Sequence, residues 1–260
     1  MSAGNEEFIY LGLLALILPY YYLLYKRNPY GNFINLHHLL IPISIMIALG
    51  SWIHNNGELM TISYFSLFGI FYLIGQFNLF EKQKLRNNIY KILGSLGTVI
   101  LLLFLSFKEF WKELARRDFS RHPMLGSTEF IIATILSLVA IGLLINNLRK
   151  HSIREIKPIT PVFLIFIALF ILGMTTSYVV ILINILLFGI GVMTIREGAK
   201  MDNLAVLNYG LLIITALVVS RFFDTDLSFV LRGLLFISVG IGFFLVNYWM
   251  LQKRKKNELQ

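Results

Sequence analysis

Two cations and two carboxylates stand close together near the end of the chain. The segment Ser220-Arg221-Phe222-Phe223-Asp224-Thr225-Asp226-Leu227-Ser228 joins two apolar runs, and Arg232 follows one helical turn into the second. Arg221 closes the first run, where a positive charge meets the negative end of a helix dipole, and Asp226 or Ser228 can cap the next helix. Arg232 sits where water is scarce and is expected to pair with Asp224 or Asp226. The group amounts either to a capped hairpin held by an ion pair or to an anion-binding pocket.

A second charged segment, Lys108–Arg121, carries five basic residues against Glu109, Glu113 and Asp118. Phe107, Phe110, Trp111 and Leu114 fall at i, i+3, i+4 and i+7, which predicts a helix with one apolar face. Such a helix is expected to lie in the headgroup plane, its Trp and Phe face dipped into the acyl boundary. Glu113 can pair with Arg116 and Arg117, and His122-Pro123 ends the helix. It is either a plain interfacial anchor or a surface for an anionic lipid headgroup or a partner. Candidate binding residues are therefore Arg221, Asp224, Asp226, Arg232, Trp111, Arg116 and Arg117.

Other chemistries lack their parts. His37 and His38 are adjacent, so on a helix they point about 100° apart and cannot chelate one metal from one face; metal-binding helices use i and i+4. They are expected to be interfacial, bonded to headgroups or nearby backbone. Gly94-Ser95-Leu96-Gly97 places a serine between glycines, but the five histidines, at 37, 38, 54, 122 and 151, stand outside the middle of any run. A serine hydrolase needs such a base within reach, so close helix packing by small residues explains the motif better. There are no cysteines, which removes disulfides and thiolate sites. No apolar run carries Asp or Glu near its centre, which lowers proton- or sodium-coupled transport. No metal site and no cofactor is expected, and the balance leans away from an enzyme.

The elements that must position these residues are apolar throughout. The chain has 260 residues, 57% hydrophobic and 14% charged. Too few polar side chains remain to cover a water-soluble fold, and the continuous runs approach the roughly 20 residues of a spanning helix. The runs are Phe8–Tyr25, Phe33–Ile53, Leu59–Phe77, Ile89–Phe107, Glu129–Leu148, Pro161–Met174, Tyr178–Ile195, Leu204–Ser220 and Phe229–Met250. Glu6 and Glu7 precede the first, with no Lys or Arg, so it is expected to be a permanent span rather than a cleaved signal. Thr175-Thr176-Ser177 is the weakest break, leaving 160–195 open as one span or two.

Charge chooses between them. With nine spans and the C-terminus inside, the inner side holds Lys26, Arg27, Lys82, Lys84, Arg86, Lys91, Arg149, Lys150, Arg154, Lys157, Arg196, Lys200 and Lys253-Arg254-Lys255-Lys256, 16 of the 23 basic residues. Merging the doubtful pair reverses every earlier loop and leaves 11 inside against 12 outside. The positive-inside bias favours nine spans, N-terminus out and C-terminus in. The expected fold is an all-α polytopic transmembrane bundle, one membrane domain over 1–260, with the amphipathic helix between spans 4 and 5. The net charge of +9 belongs to span ends and does not point to nucleic acid.

Asn208-Tyr209-Gly210, Arg221-Phe222-Phe223-Asp224, then Gly233, Phe236, Gly240 and the basic tail resemble the C-terminal end of a bacterial predicted-membrane-protein family, the domain-of-unknown-function 2157 type. Leu105-Ser106-Phe107 to Phe110-Trp111 is similar to that family's middle. The resemblance covers residues 59–256 and implies a bacterial cytoplasmic (inner) membrane location and no activity. The function expected is a non-catalytic multi-pass component of the cell envelope that binds lipid, a membrane partner or a second copy of itself. The competing reading is a permease or lipid flippase for an anionic substrate. A midplane cavity lined by Asn184, Asn208, Gln76 or Asn247 would favour transport.

Overall fold

The computed structural model describes residues 4–27, 31–52, 57–77, 80, 88–116, 126–150, 157–222 and 228–258. Ten α-helices, and no strand, occur among them: α1 (Gly4–Arg27), α2 (Asn32–Trp52), α3 (Gly57–Ile74), α4 (Ile89–Leu105), α5 (Lys108–Arg116), α6 (Thr128–Lys150), α7 (Val162–Gly173), α8 (Val179–Lys200), α9 (Leu204–Phe222) and α10 (Phe229–Glu258). In hydrocarbon a backbone must satisfy its own hydrogen bonds, and helices do so within each segment. Six helices, α2, α3, α6, α8, α9 and α10, are long and apolar enough to cross a membrane, and a seventh span results if α4 and α5, bent by 72°, count as one. The 12 residues of α7 rise only about 18 Å, against the roughly 30 Å of a bilayer core. Between Gly173 and Val179 the helix is interrupted, so 160–195 forms two helices.

Many large apolar side chains face outward, among them Phe229 at 80% exposure, Phe244 at 68% and Leu138 at 63%. That surface suits lipid rather than water. The chain divides into two compact units. Unit 1 comprises residues 1–98 and 117–170, unit 2 residues 99–116 and 171–260.

In unit 1, α3 is the buried centre, with Phe65, Ser66, Leu67, Phe68, Ile70, Phe71, Tyr72 and Leu73 all enclosed. Small residues let its neighbours approach. A Cβ on Gly94 would lie 2.5 Å from the Tyr72 nitrogen and 2.6 Å from the Phe68 oxygen, and one on Gly97 would strike the Phe68 ring. Gly94 and Gly97 are thus the packing residues that their spacing predicted. Ser66 and Ser137 bond across α3 and α6 at 2.9 Å. The Phe65 ring stacks on Phe166 of α7 with centroids 3.9 Å apart. At one end Asn147 Nδ2 donates to Gln76 Oε1 at 3.2 Å and Gln76 Nε2 to Thr160 Oγ1 at 3.0 Å, so these amides are occupied in structure.

In unit 2, α8 and α9 form a close helical hairpin. A Cβ on Gly210 would sit 2.8 Å from the Gly191 oxygen, and one on Gly198 would collide with the Leu207 backbone. The turn places Asp202 in the left-handed region, φ 51°. Asn203 Oδ1 then caps α9 by accepting from Ala205 N at 3.0 Å and Val206 N at 3.3 Å. α10 meets this hairpin through Met250 and Val246 on Leu207 and Leu211.

Candidate functional site

The α4–α5 bend leaves the last carbonyls of α4 without intrahelical donors, as at any helix C-terminus. Side chains from three other places supply the missing groups. Ser106 Oγ donates back to the Leu103 oxygen at 2.6 Å. Trp111 Nε1 donates to the Leu105 oxygen at 2.7 Å. Asn184 of α8 donates through Nδ2 to the Ser106 oxygen at 3.1 Å and to its own Val180 oxygen at 2.7 Å. Two carbonyl acceptors on one side of the amide fix its orientation. Its Oδ1 therefore faces the other way, buried and with no hydrogen-bond partner.

Arg221, in the last turn of α9, reaches the same knot. Its Nη2 donates to Ser106 Oγ at 2.9 Å, and its guanidinium carbon lies 4.8 Å from the centre of the Phe107 ring. A cation there is favoured by the ring's negative face and by the negative end of the α4 dipole. Arg221 is half-buried, so these contacts are only partly screened by solvent.

α5 covers 108–116 of the charged segment, and its apolar face is spent on protein. Trp111 and Leu114 are fully buried, and a Cβ on Gly173 would lie 2.5 Å from the Trp111 ring. The expectation that Trp111 dips into the acyl boundary is corrected accordingly: a glycine at the end of α7 leaves a slot that the indole fills. Lys108, Glu109, Lys112, Glu113 and Arg116 are exposed.

Of the seven candidate binding residues, the structure joins Arg221 and Trp111 at the bend and places Arg116 on the outer face of α5. Arg232 is half-buried on α10. Asp224, Asp226 and Arg117 lie outside the described residues, and with them the expected Arg232 ion pair. Ser228 takes the capping role proposed for it, its Oγ accepting from Leu231 N at 3.3 Å. The sequence reading did not assign Ser106, Phe107 or Asn184 to the site. Ser106 precedes Arg221 by 115 positions, a separation that no local pattern bridges. Asn184 is expected from the sequence only as one amide that could line a transport cavity.

The two histidines differ. His37 donates from Nδ1 to the Phe33 oxygen at 2.9 Å, as expected of an interfacial histidine bonded to backbone. His38 is fully buried, and neither ring nitrogen has a hydrogen-bond partner, so the interfacial expectation fails for it. Asn247 bonds its own helix at the Phe243 oxygen, 3.1 Å away, and Asn208 is exposed. Of the four amides named as cavity lining, Gln76 belongs to unit 1 and the other three to unit 2.

The class this architecture defines is an α-helical membrane protein with several spans. No protein-family model, curated protein or solved structure matches the chain.

Proposed function

We propose that this is a non-catalytic multi-pass protein of the bacterial cytoplasmic membrane, nine spans with the N-terminus out and the C-terminus in, that binds anionic lipid headgroups on its outer face. α1, α4 and α7 complete the nine, α7 together with the turns that flank it. The observation that supports the reading is the direction α5 faces. Its apolar side is packed on protein, so what it presents outward is charge: Lys108, Lys112 and Arg116 against Glu109 and Glu113. The helix is held by the Trp111 and Leu114 contacts rather than by lipid insertion. A fixed ledge of cations at headgroup depth attracts anionic lipid with a strength that salt weakens.

The test uses the full chain in nanodiscs of phosphatidylcholine with and without phosphatidylglycerol, counting co-purified lipids by native mass spectrometry. Wild type should retain phosphatidylglycerol preferentially. The variant carrying Lys108→Gln, Lys112→Gln and Arg116→Gln, all exposed positions, should lose that preference while its helical content holds. Equal retention by the two proteins refutes the headgroup role. Sidedness is checked separately: single cysteines at Asn56 and Gln252 should label from opposite sides, and labelling from one side ends the nine-span arrangement.

A permease or flippase for an anionic substrate is favoured by a different observation, the buried unpartnered Oδ1 of Asn184 on the residue that shares Ser106 with Arg221. Proteoliposomes that move a fluorescent anionic lipid between leaflets, and lose this with Asn184→Leu, would support that reading instead.

A further inference from the structure

The fully buried His38 of α2 lies in a box of aromatic rings within unit 1. Phe80 stands edge-on with centroids 5.1 Å apart, Tyr21 of α1 edge-on at 5.6 Å, and Tyr90 of α4 at 5.8 Å. Tyr21 of α1 and Tyr90 of α4 each bring a phenol to this cluster. A neutral imidazole carries one N–H donor and one lone-pair acceptor. Neither nitrogen of His38 has a hydrogen-bond partner. A sealed, unmatched donor and acceptor destabilise a fold, and a leucine or phenylalanine would fill this place without that penalty.

From this cluster we infer that His38, Tyr21 and Tyr90 form a binding site for the headgroup of a lipid-soluble quinone or quinol. The chemistry of the box selects that class. Its walls are flat and apolar, which suits a ring that stacks edge-on or offset. Its polar contributions are neutral: an imidazole and two phenols. Phe80, Tyr21 and Tyr90 bring no charge to balance an ionic headgroup, and burying an unpaired ion is costly. A quinone carbonyl accepts from the imidazole N–H, and a quinol hydroxyl donates to its lone-pair nitrogen, so each form gives His38 one of its two missing partners. The phenols of Tyr21 and Tyr90 are further hydrogen-bond donors for a quinone oxygen. The proposal concerns binding and includes no electron transfer.

Entry requires the box to open, and α1 is the element suited to moving. Its described side chains face largely outward, Leu16 at 74% exposure and Tyr22 at 63%, and its ring contacts include Tyr20 on His37 and Tyr21 on His38. A ligand arriving from the lipid phase meets this side of the unit directly.

The experiment uses the full-length protein in detergent, with decylubiquinone and a short-chain menaquinone as probes. Affinity is read from quenching of intrinsic fluorescence and from the ligand-induced shift in melting temperature. Wild type should bind one of the probes saturably. His38→Gln, which keeps a donor and an acceptor, should bind near wild-type strength. His38→Leu should weaken binding about tenfold or more, the worth of one good hydrogen bond, while raising the melting temperature of the ligand-free protein. Tyr90→Phe should weaken binding with His38 intact. No saturable binding by wild type overturns the inference, as does equal affinity in His38→Leu and His38→Gln. A ligand-free His38→Leu protein that melts lower than wild type also overturns it, because the imidazole would then be contributing to the fold.

Discussion

Arg221 and Ser106 should be energetically coupled, and the structure sets the size of the effect. Arg221→Ala removes a charge-assisted hydrogen bond, worth about 1.5–3 kcal/mol when well buried, and a cation–ring contact worth about 0.5–2 kcal/mol. Because Arg221 is only half-buried, the lower parts of both ranges apply, for a loss of about 2–3 kcal/mol. Ser106→Ala removes the acceptor for Nη2 and the hydroxyl that serves the Leu103 oxygen, at about 1–2 kcal/mol. The shared bond is counted in both, so the double variant should cost less than the sum by about 1 kcal/mol or more. Arg221→Lys should fall between wild type and Arg221→Ala, since an ammonium keeps the charge but not the flat face lying on Phe107. The assay is equilibrium unfolding in mixed micelles of rising dodecyl sulfate fraction, followed by far-ultraviolet circular dichroism for all four members of the cycle. Additivity within about 0.5 kcal/mol would show that the guanidinium does not rest on the serine.

Further measurements follow from other contacts. With Trp52→Phe and Trp249→Phe in place, Trp111 should emit at short wavelength and resist quenching by both acrylamide and brominated lipid; strong quenching by brominated lipid would put the indole in the bilayer instead of the Gly173 slot. Trp111→Ala should destabilise by about 3–5 kcal/mol in the same micelle assay. Gly94→Leu should lower folded yield sharply, because Cβ alone meets the Phe68 and Tyr72 backbone, whereas Gly142→Leu, which faces open space, should be tolerated; equal yields would mean that α4 does not lie against α3. Arg232→Ala, at a half-buried position, should reduce yield more than Arg116→Ala at an exposed one, and matching yields would show Arg232 to be solvated.

The sequence was most informative where one-dimensional spacing has a direct three-dimensional meaning. Continuous apolar runs marked the helices, since lipid imposes one requirement along the whole segment. The i, i+3, i+4, i+7 pattern marked α5, and the glycines at 94 and 97 marked a close approach. What faced the apolar side of α5 was hidden, because a stripe suited to lipid equally suits a slot beside a distant glycine, here Gly173. The partners of Arg221 were hidden for a related reason. The sequence reading gave Arg221 a helix-end role, while its contacts among the described residues include Ser106 and Phe107, brought close by the bend. His38 was expected to resemble His37, because adjacency says nothing about which of two neighbouring side chains turns inward. Length was over-read in one respect: twelve helical residues in α7 fall short of a full crossing by themselves.

The α8–α9 hairpin bears on how the protein is made. Its contacts, Gly198 to Leu207 and Gly191 to Gly210, join residues close along the chain, and its turn is closed by the Asn203 cap. Such a unit needs nothing synthesised later, so it can zip together as it leaves the ribosome and enter the bilayer as a finished pair. α10, emerging last, then has a completed surface at Leu207 and Leu211 on which to settle.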